Sequence, residues 1–139
     1  MNKVANIKLY NGLILTLSKT FTKSDVSSFS NLIGDKNNLH LSEEAAKNSR
    51  FKEPICQGLL VGSLFSNLMG NNFPMSIYLS QSFNFKAPVY IGEEVKSEII
   101  VKDIKNKVLK LKTTVYKKNK TKAIEGEALL LIDNINEYL

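Results

Sequence analysis

Residues 58 to 70 read GLLVGSLFSNLMG. The apolar residues of this stretch fall on every side of a helical wheel, so a helix formed here is buried rather than laid on a surface. Gly62, Ser63 and Ser66 are small and would let other backbone or a ligand come close. Glycine bounds the stretch at both ends, which suits a tight start and an exit. The same residues would also make an ordinary core helix with a few small positions. What the helix is buried against decides the fold.

Downstream the period of the apolar residues becomes two. Ile77, Leu79, Gln81, Phe83 and Phe85 share one face, and Tyr78, Ser80, Ser82, Asn84 and Lys86 share the other. Ala87-Pro88 interrupts the run, and Ile91 to Glu94 supplies a turn. Val95, Ser97, Ile99 and Val101 then alternate with polar residues. After a turn at Lys105-Asn106-Lys107, Leu109, Leu111, Thr113 and Val115 alternate with Lys110, Lys112 and Thr114. Asn119-Lys120 turns again, and Ile124 to Ile132 closes a meander. Strands joined by such short turns form an antiparallel sheet.

Upstream, a strand is expected over Leu13 to Phe21. Thr22-Lys-Ser-Asp25 has the form of a capping box, with Val26, Phe29 and Leu32/Ile33 following at helical spacing and Gly34 as the stop. Ser42 can cap a second short helix, with Glu43 and Glu44 in its first turn. A sheet of about five strands must cover its apolar face, and the stretch from Gly58 to Gly70 is the most apolar element available to do so. The expected fold is α+β: one domain over residues 1–139, an antiparallel sheet wrapped around one buried central helix.

The chain has 139 residues, 43% of them hydrophobic and 23% charged, as in an ordinary soluble domain. No apolar run is long enough to span a bilayer, and the N-terminus lacks the apolar core of a secretory signal. Cys56 stands alone, which excludes an internal disulfide framework and fits a reducing compartment. The cytoplasm is the expected location. Lys and Arg exceed the acids by 19 to 13, giving +6. Most of the excess lies between residues 101 and 122, where lysines alternate with apolar residues or cluster at Lys117, Lys118, Lys120 and Lys122. A solvated strand edge protected by lysine explains them better than nucleic acid, which would want interleaved aromatics.

The only histidine lies in Gly34-Asp-Lys-Asn-Asn-Leu-His40. A turn can contain an imidazole by chance, and Asp35 could simply turn the chain after Gly34. An acid and a base held over something reactive is the alternative. Cys56 has no second histidine to activate it and reads as a small buried hydrophobe. One histidine and one cysteine without clustered ligand spacing give no support for a metal.

The stretch FTKSDVSSFSNLIGDKNNLHLSEEAAKNSRFKEPICQGLLVGSLFSNLMG, residues 21 to 70, resembles the MaoC-like hydratases, particularly the short (R)-specific enoyl-CoA hydratases. Asp35, Asn37, Leu39 and His40 match that family's G/S-D-x-N-P-L-H motif. Phe51, Pro54, Ile55, Gly58, Leu60 and Ser66 match the stretch that opens its central hot-dog helix. SIYLSQSFNFKAPVYIGEEV, residues 76 to 95, is similar to its first long strand and the following turn. Three motifs in register are more specific than any one. Two positions depart: the family usually has proline where Asn38 stands, and often histidine where Gln57 stands.

The resemblance implies hydration of trans-2-enoyl-CoA to (R)-3-hydroxyacyl-CoA, or the reverse dehydration, with Asp35 and His40 activating a shared water. Gly58 would offer a backbone N–H to the thioester oxygen. Asn37 would orient the loop, and Ser66 would line the acyl pocket. No cofactor is implied beyond coenzyme A as part of the substrate. The implied partners are an acyl-CoA or acyl-carrier-protein thioester and a second copy of the chain, in a homodimer or higher homo-oligomer, with no nucleic acid, membrane or metal. Arg50 and Lys52 are candidates for the phosphates. A hot-dog thioesterase and a non-catalytic acyl-thioester-binding domain are the competing readings.

Overall fold

The computed structural model describes residues 7–139. Its elements run β1 (Ile14–Thr20), α1 (Lys23–Ile33), α2 (Asn38–Leu41), α3 (Glu43–Lys47), α4 (Gly58–Gly62), α5 (Leu64–Asn72), β2 (Ile77–Gln81), β3 (Asn84–Phe85), β4 (Glu94–Lys105), β5 (Val108–Lys117) and β6 (Lys122–Leu131), closed by a 3-10 turn at Ile135–Tyr138. The strands form one six-stranded sheet ordered β1-β4-β5-β6-β2, with β3 also pairing with β6. All pairings are antiparallel.

Local chemistry accounts for the helix ends. Thr22 accepts from the Asp25 N–H at 3.1 Å, and the Asp25 carboxylate accepts from the Thr22 N–H at 2.9 Å, which completes the capping box. Gly34 ends α1 in the left-handed region at φ 79°, its N–H returned to the Ser30 carbonyl. Ser42 caps α3 by accepting from the Ala45 N–H.

The sheet wraps α4 and α5. Val61, Leu64, Phe65, Leu68 and Met69 are buried against Val95, Ile99, Leu111, Val115, Ile124 and Leu130 of the inner face. On β5 the alternation holds at first, with Leu109, Leu111, Thr113 and Val115 buried and Lys110 exposed, but Thr114, expected on the outer face with the lysines, is buried as well. Burial of side chains this size contributes roughly 1.5–3 kcal/mol each, which is what holds sheet to helix.

Other expectations need correction. The central stretch is two helices, not one. A single residue, Ser63, separates them; its backbone stays right-handed helical at φ −61° and ψ −17°, and its hydroxyl donates to the Leu60 carbonyl at 2.5 Å. It is also not buried all round, since Leu59, Ser63, Ser66, Asn67 and Gly70 are exposed along one side. The run from Ser76 does not hold as one strand: it bulges between Tyr78 and Ser80, and β3 forms separately. Because β2 and β3 make an outer edge, Ile77 and Leu79 are about half exposed instead of core. Finally, Lys117 is no solvated lysine; its side chain is only 13% exposed and paired with Glu93.

Candidate active site

His40 sits on α2, a single helical turn, and not on an open loop as its turn-rich flanks imply. Asn37 is the N-cap of that turn and accepts from the Leu39 N–H at 3.0 Å. Asn38 therefore stands at the first helical position, where a proline's fixed φ and missing N–H would be at home. Asparagine there leaves the turn in place and gives up only the stiffening.

The imidazole is held from outside its own segment. His40 Nδ1 lies 2.7 Å from the Ile55 carbonyl oxygen, while the Ile55 N–H donates to the Leu39 carbonyl at 3.3 Å. A carbonyl only accepts, so Nδ1 carries a proton, and in the tautomer this selects Nε2 is the acceptor. His40 lines a cavity of about 420 Å³ together with Phe51, Gly58, Phe85, Val89 and Ile124. That lining is predominantly apolar. Gly58 is the first residue of α4, so its N–H has no carbonyl partner within the helix.

Asp35 occupies the exposed turn before α2. Its carboxylate accepts from the Asn37 N–H at 3.0 Å, and its carbonyl accepts from the Ser30 hydroxyl. The fold thus brings His40 and Gly58 to one cavity, whereas Asp35 and Asn37, exposed on the turn before α2, are not among its lining residues. Ser66 is exposed on α5 and does not line the cavity. Arg50 and Lys52 also lie outside the lining.

Gln57 is buried; its Nε2 donates to the Val26 carbonyl at 3.0 Å and ties the start of α4 to α1. Cys56 lines the cavity wall, with its thiol pushed up to about 12 by burial and then by the charges of Glu93 and Asp25. It is a wall residue with no nucleophilic character at neutral pH. Among the described residues no cluster of three or more His, Cys, Asp or Glu side chains could hold a metal ion. No helix among them is long and apolar enough to cross a membrane.

Sequence reasoning missed the brace behind the cavity wall. Lys117 Nζ pairs with Glu93 at 3.3 Å, donates to the Pro88 carbonyl at 2.7 Å and lies 5.4 Å from the centre of the Tyr90 ring. Glu93 accepts from the Tyr90 N–H, and the Tyr90 hydroxyl donates to the Phe51 carbonyl at 3.1 Å. Pro88 and Phe51 are both cavity residues. Their partners are far apart in sequence, and no local pattern announces them.

An antiparallel sheet wrapped around a helical segment, with His40 and the start of α4 lining one cavity, is the hot-dog arrangement. The chain belongs to the MaoC-like domain family, whose model matches residues 11–123. It is 39% identical over 128 residues to the mitochondrial 3-hydroxyacyl-acyl-carrier-protein dehydratase FERN of Solanum lycopersicum, covering 89% of this chain and 78% of that one. It is also 39% identical over 118 residues to the (R)-specific enoyl-CoA hydratase of Aeromonas caviae, covering 82% of this chain and 88% of that one. The solved structure of an (R)-hydratase from A. caviae superposes with a TM-score of 0.86 at 38% identity, covering 89% of this chain and 97% of the other.

Proposed function

We propose that the protein adds water to trans-2-enoyl thioesters to give (R)-3-hydroxyacyl thioesters, or removes it in the reverse direction. The observation that carries this is the pinned imidazole: His40, its Nδ1 held by the Ile55 carbonyl, lines the same cavity as Gly58. Water must lose a proton as its oxygen bonds to Cβ, and Cα must gain one. Asp35 and His40 grip that water; one takes its proton and the other helps deliver one to Cα. Charge that builds on the thioester oxygen is met by the Gly58 N–H. Asn37 orients the turn between acid and base. These steps need no cofactor beyond the coenzyme A or carrier arm of the substrate.

The same reading includes a homodimer in the cytoplasm. The β2–β3 edge exposes Ile77, Leu79 and Phe85 at 48%, 49% and 55%, with unpaired strand edge beside them. A second copy adding its own edge would cover both the apolar side chains and the backbone groups. Ser66 would meet substrate only if such a copy extends the cavity along the exposed side of α5.

The test is loss of conjugated-enoyl absorbance with crotonyl-CoA, for the wild type and for Asp35→Asn and His40→Gln. Loss in the wild type alone, with the (R)-alcohol as product, is the expected result. Release of free thiol in its place would make the protein a thioesterase. Tight binding of acyl-CoA without either change would make it a binding domain.

A further inference from the structure

We propose that Phe83 closes the acyl channel one helical turn beyond Gly58 and restricts the enzyme to short acyl chains; this rests on the hydratase reading above. Gly58 and Gly62 are four residues apart and share a helix face. Each has an aromatic ring packed directly on its bare Cα. A Cβ built at Gly58 would lie 2.5 Å from the Phe85 ring, and one at Gly62 would lie 2.5 Å from the Phe83 ring. No side chain can occupy either position without moving a ring.

The two rings are stacked, with centroids 5.7 Å apart and planes 11° apart. Phe83 stacks in turn on Phe65 at 6.3 Å and 17°. Phe65 is fully buried in the core. Phe83 is therefore braced from behind, whereas Phe85, at 55% exposure, has solvent to move into. The cavity reflects this arrangement. It is lined by Gly58, Leu59, Val61 and Phe85, and neither Gly62 nor Phe83 contributes to it.

An acyl chain whose thioester oxygen meets the Gly58 N–H, and whose tail runs along α4, advances about 5.4 Å before it reaches the next turn. There it meets the Phe83 ring over Gly62. A butenoyl group fits in that length; an octenoyl group must displace a ring that the core holds in place. Phe83 is thus a specificity residue that acts by occupying the space a longer tail would need, and the bare glycines let the rings sit deep enough to do so.

The experiment compares wild type, Phe83→Leu and Phe83→Ala, all full length, with crotonyl-CoA and trans-2-octenoyl-CoA as substrates. Calorimetric binding of butyryl-CoA and octanoyl-CoA runs in parallel. The wild type is expected to favour the short substrate in kcat/KM by about tenfold or more, and Phe83→Ala to raise the long-to-short ratio by at least about tenfold. Phe83→Leu, which keeps the core filled, should shift the ratio in the same direction by less. Equal use of both substrates by the wild type overturns the proposal. So does an unchanged ratio in a Phe83 variant whose thermal unfolding shows it folded. If the wild type hydrates neither substrate, the hydratase reading falls by itself, and binding decides the length limit. Preference for butyryl-CoA relieved in Phe83→Ala then supports it, and no preference, or no binding of either, overturns it.

Discussion

His40 Nδ1 lies 2.7 Å from the carbonyl oxygen of Ile55, and that single contact fixes which ring nitrogen must carry a proton. Because the chain has one histidine, its nitrogen resonances are unambiguous. Nitrogen NMR at alkaline pH should show the proton on Nδ1. The opposite tautomer would remove Nε2 as the acceptor. His40→Gln should lower the hydration rate by about 10²–10⁴ while leaving thermal unfolding little changed.

The Lys117–Glu93 pair should stabilise the cavity wall measurably. Both side chains are mostly buried, so Lys117→Met leaves a carboxylate without its cation and the Pro88 carbonyl without a donor. A loss of about 2–3 kcal/mol in urea unfolding is expected. Adding Glu93→Gln should recover part of it, since the stranded charge is then gone. A single variant within about 0.5 kcal/mol of wild type would make the pair a bystander.

Cys56 should be inert in the native protein. With its thiol raised from an ordinary 9.0 to about 12, the thiolate fraction at pH 8 falls roughly a thousandfold. Iodoacetamide should label it only after denaturant is added, as read by intact mass. Burial of the neutral thiol favours the fold fully below pH 9, and that contribution is lost as pH rises from 9.0 toward about 12. Cys56→Ala should flatten that alkaline loss and keep hydration activity.

Two glycines should respond differently to the same added methyl. At Gly126 it would sit 1.9 Å from the Ser82 carbonyl oxygen, a backbone atom in the break between β2 and β3. Gly126→Ala should cost about 3 kcal/mol or more in urea unfolding. At Gly58 the obstacle is the exposed Phe85 ring, which can swing aside. Gly58→Ala should cost only about 1 kcal/mol in stability and show its effect as a raised KM.

The β2 edge carries the dimer prediction. Leu79→Lys places a charge in the middle of the exposed strand and should yield monomers in sedimentation while the fold is kept. Unchanged sedimentation would move the interface elsewhere.

Wherever the controlling physics is local, the residues announced the structure. The Thr22–Asp25 box, the Gly34 stop, the Ser42 cap and the alternation of β5 as far as Thr113 all depend on neighbours a few positions away. The motif match also named His40 and Gly58, which the fold brings to one cavity.

Burial of the strand that starts at Ile77 was not legible, because a period-two pattern reads the same at the edge of a sheet as in its middle. Only the strand order leaves Ile77 and Leu79 uncovered. Nor does any motif pair Lys117 with Glu93, or set Phe83 on Gly62, since those contacts exist only after the sheet has wrapped the helix.

Composition and period were enough for an α+β fold and its antiparallel meander, because hydrophobic patterning and capping act over a few residues. The tautomer of His40, the brace behind Pro88 and the depth of the cavity belong to the tertiary structure alone. Each depends on groups far apart in the chain, which meet only when the hydrophobic effect closes the sheet on α4 and α5.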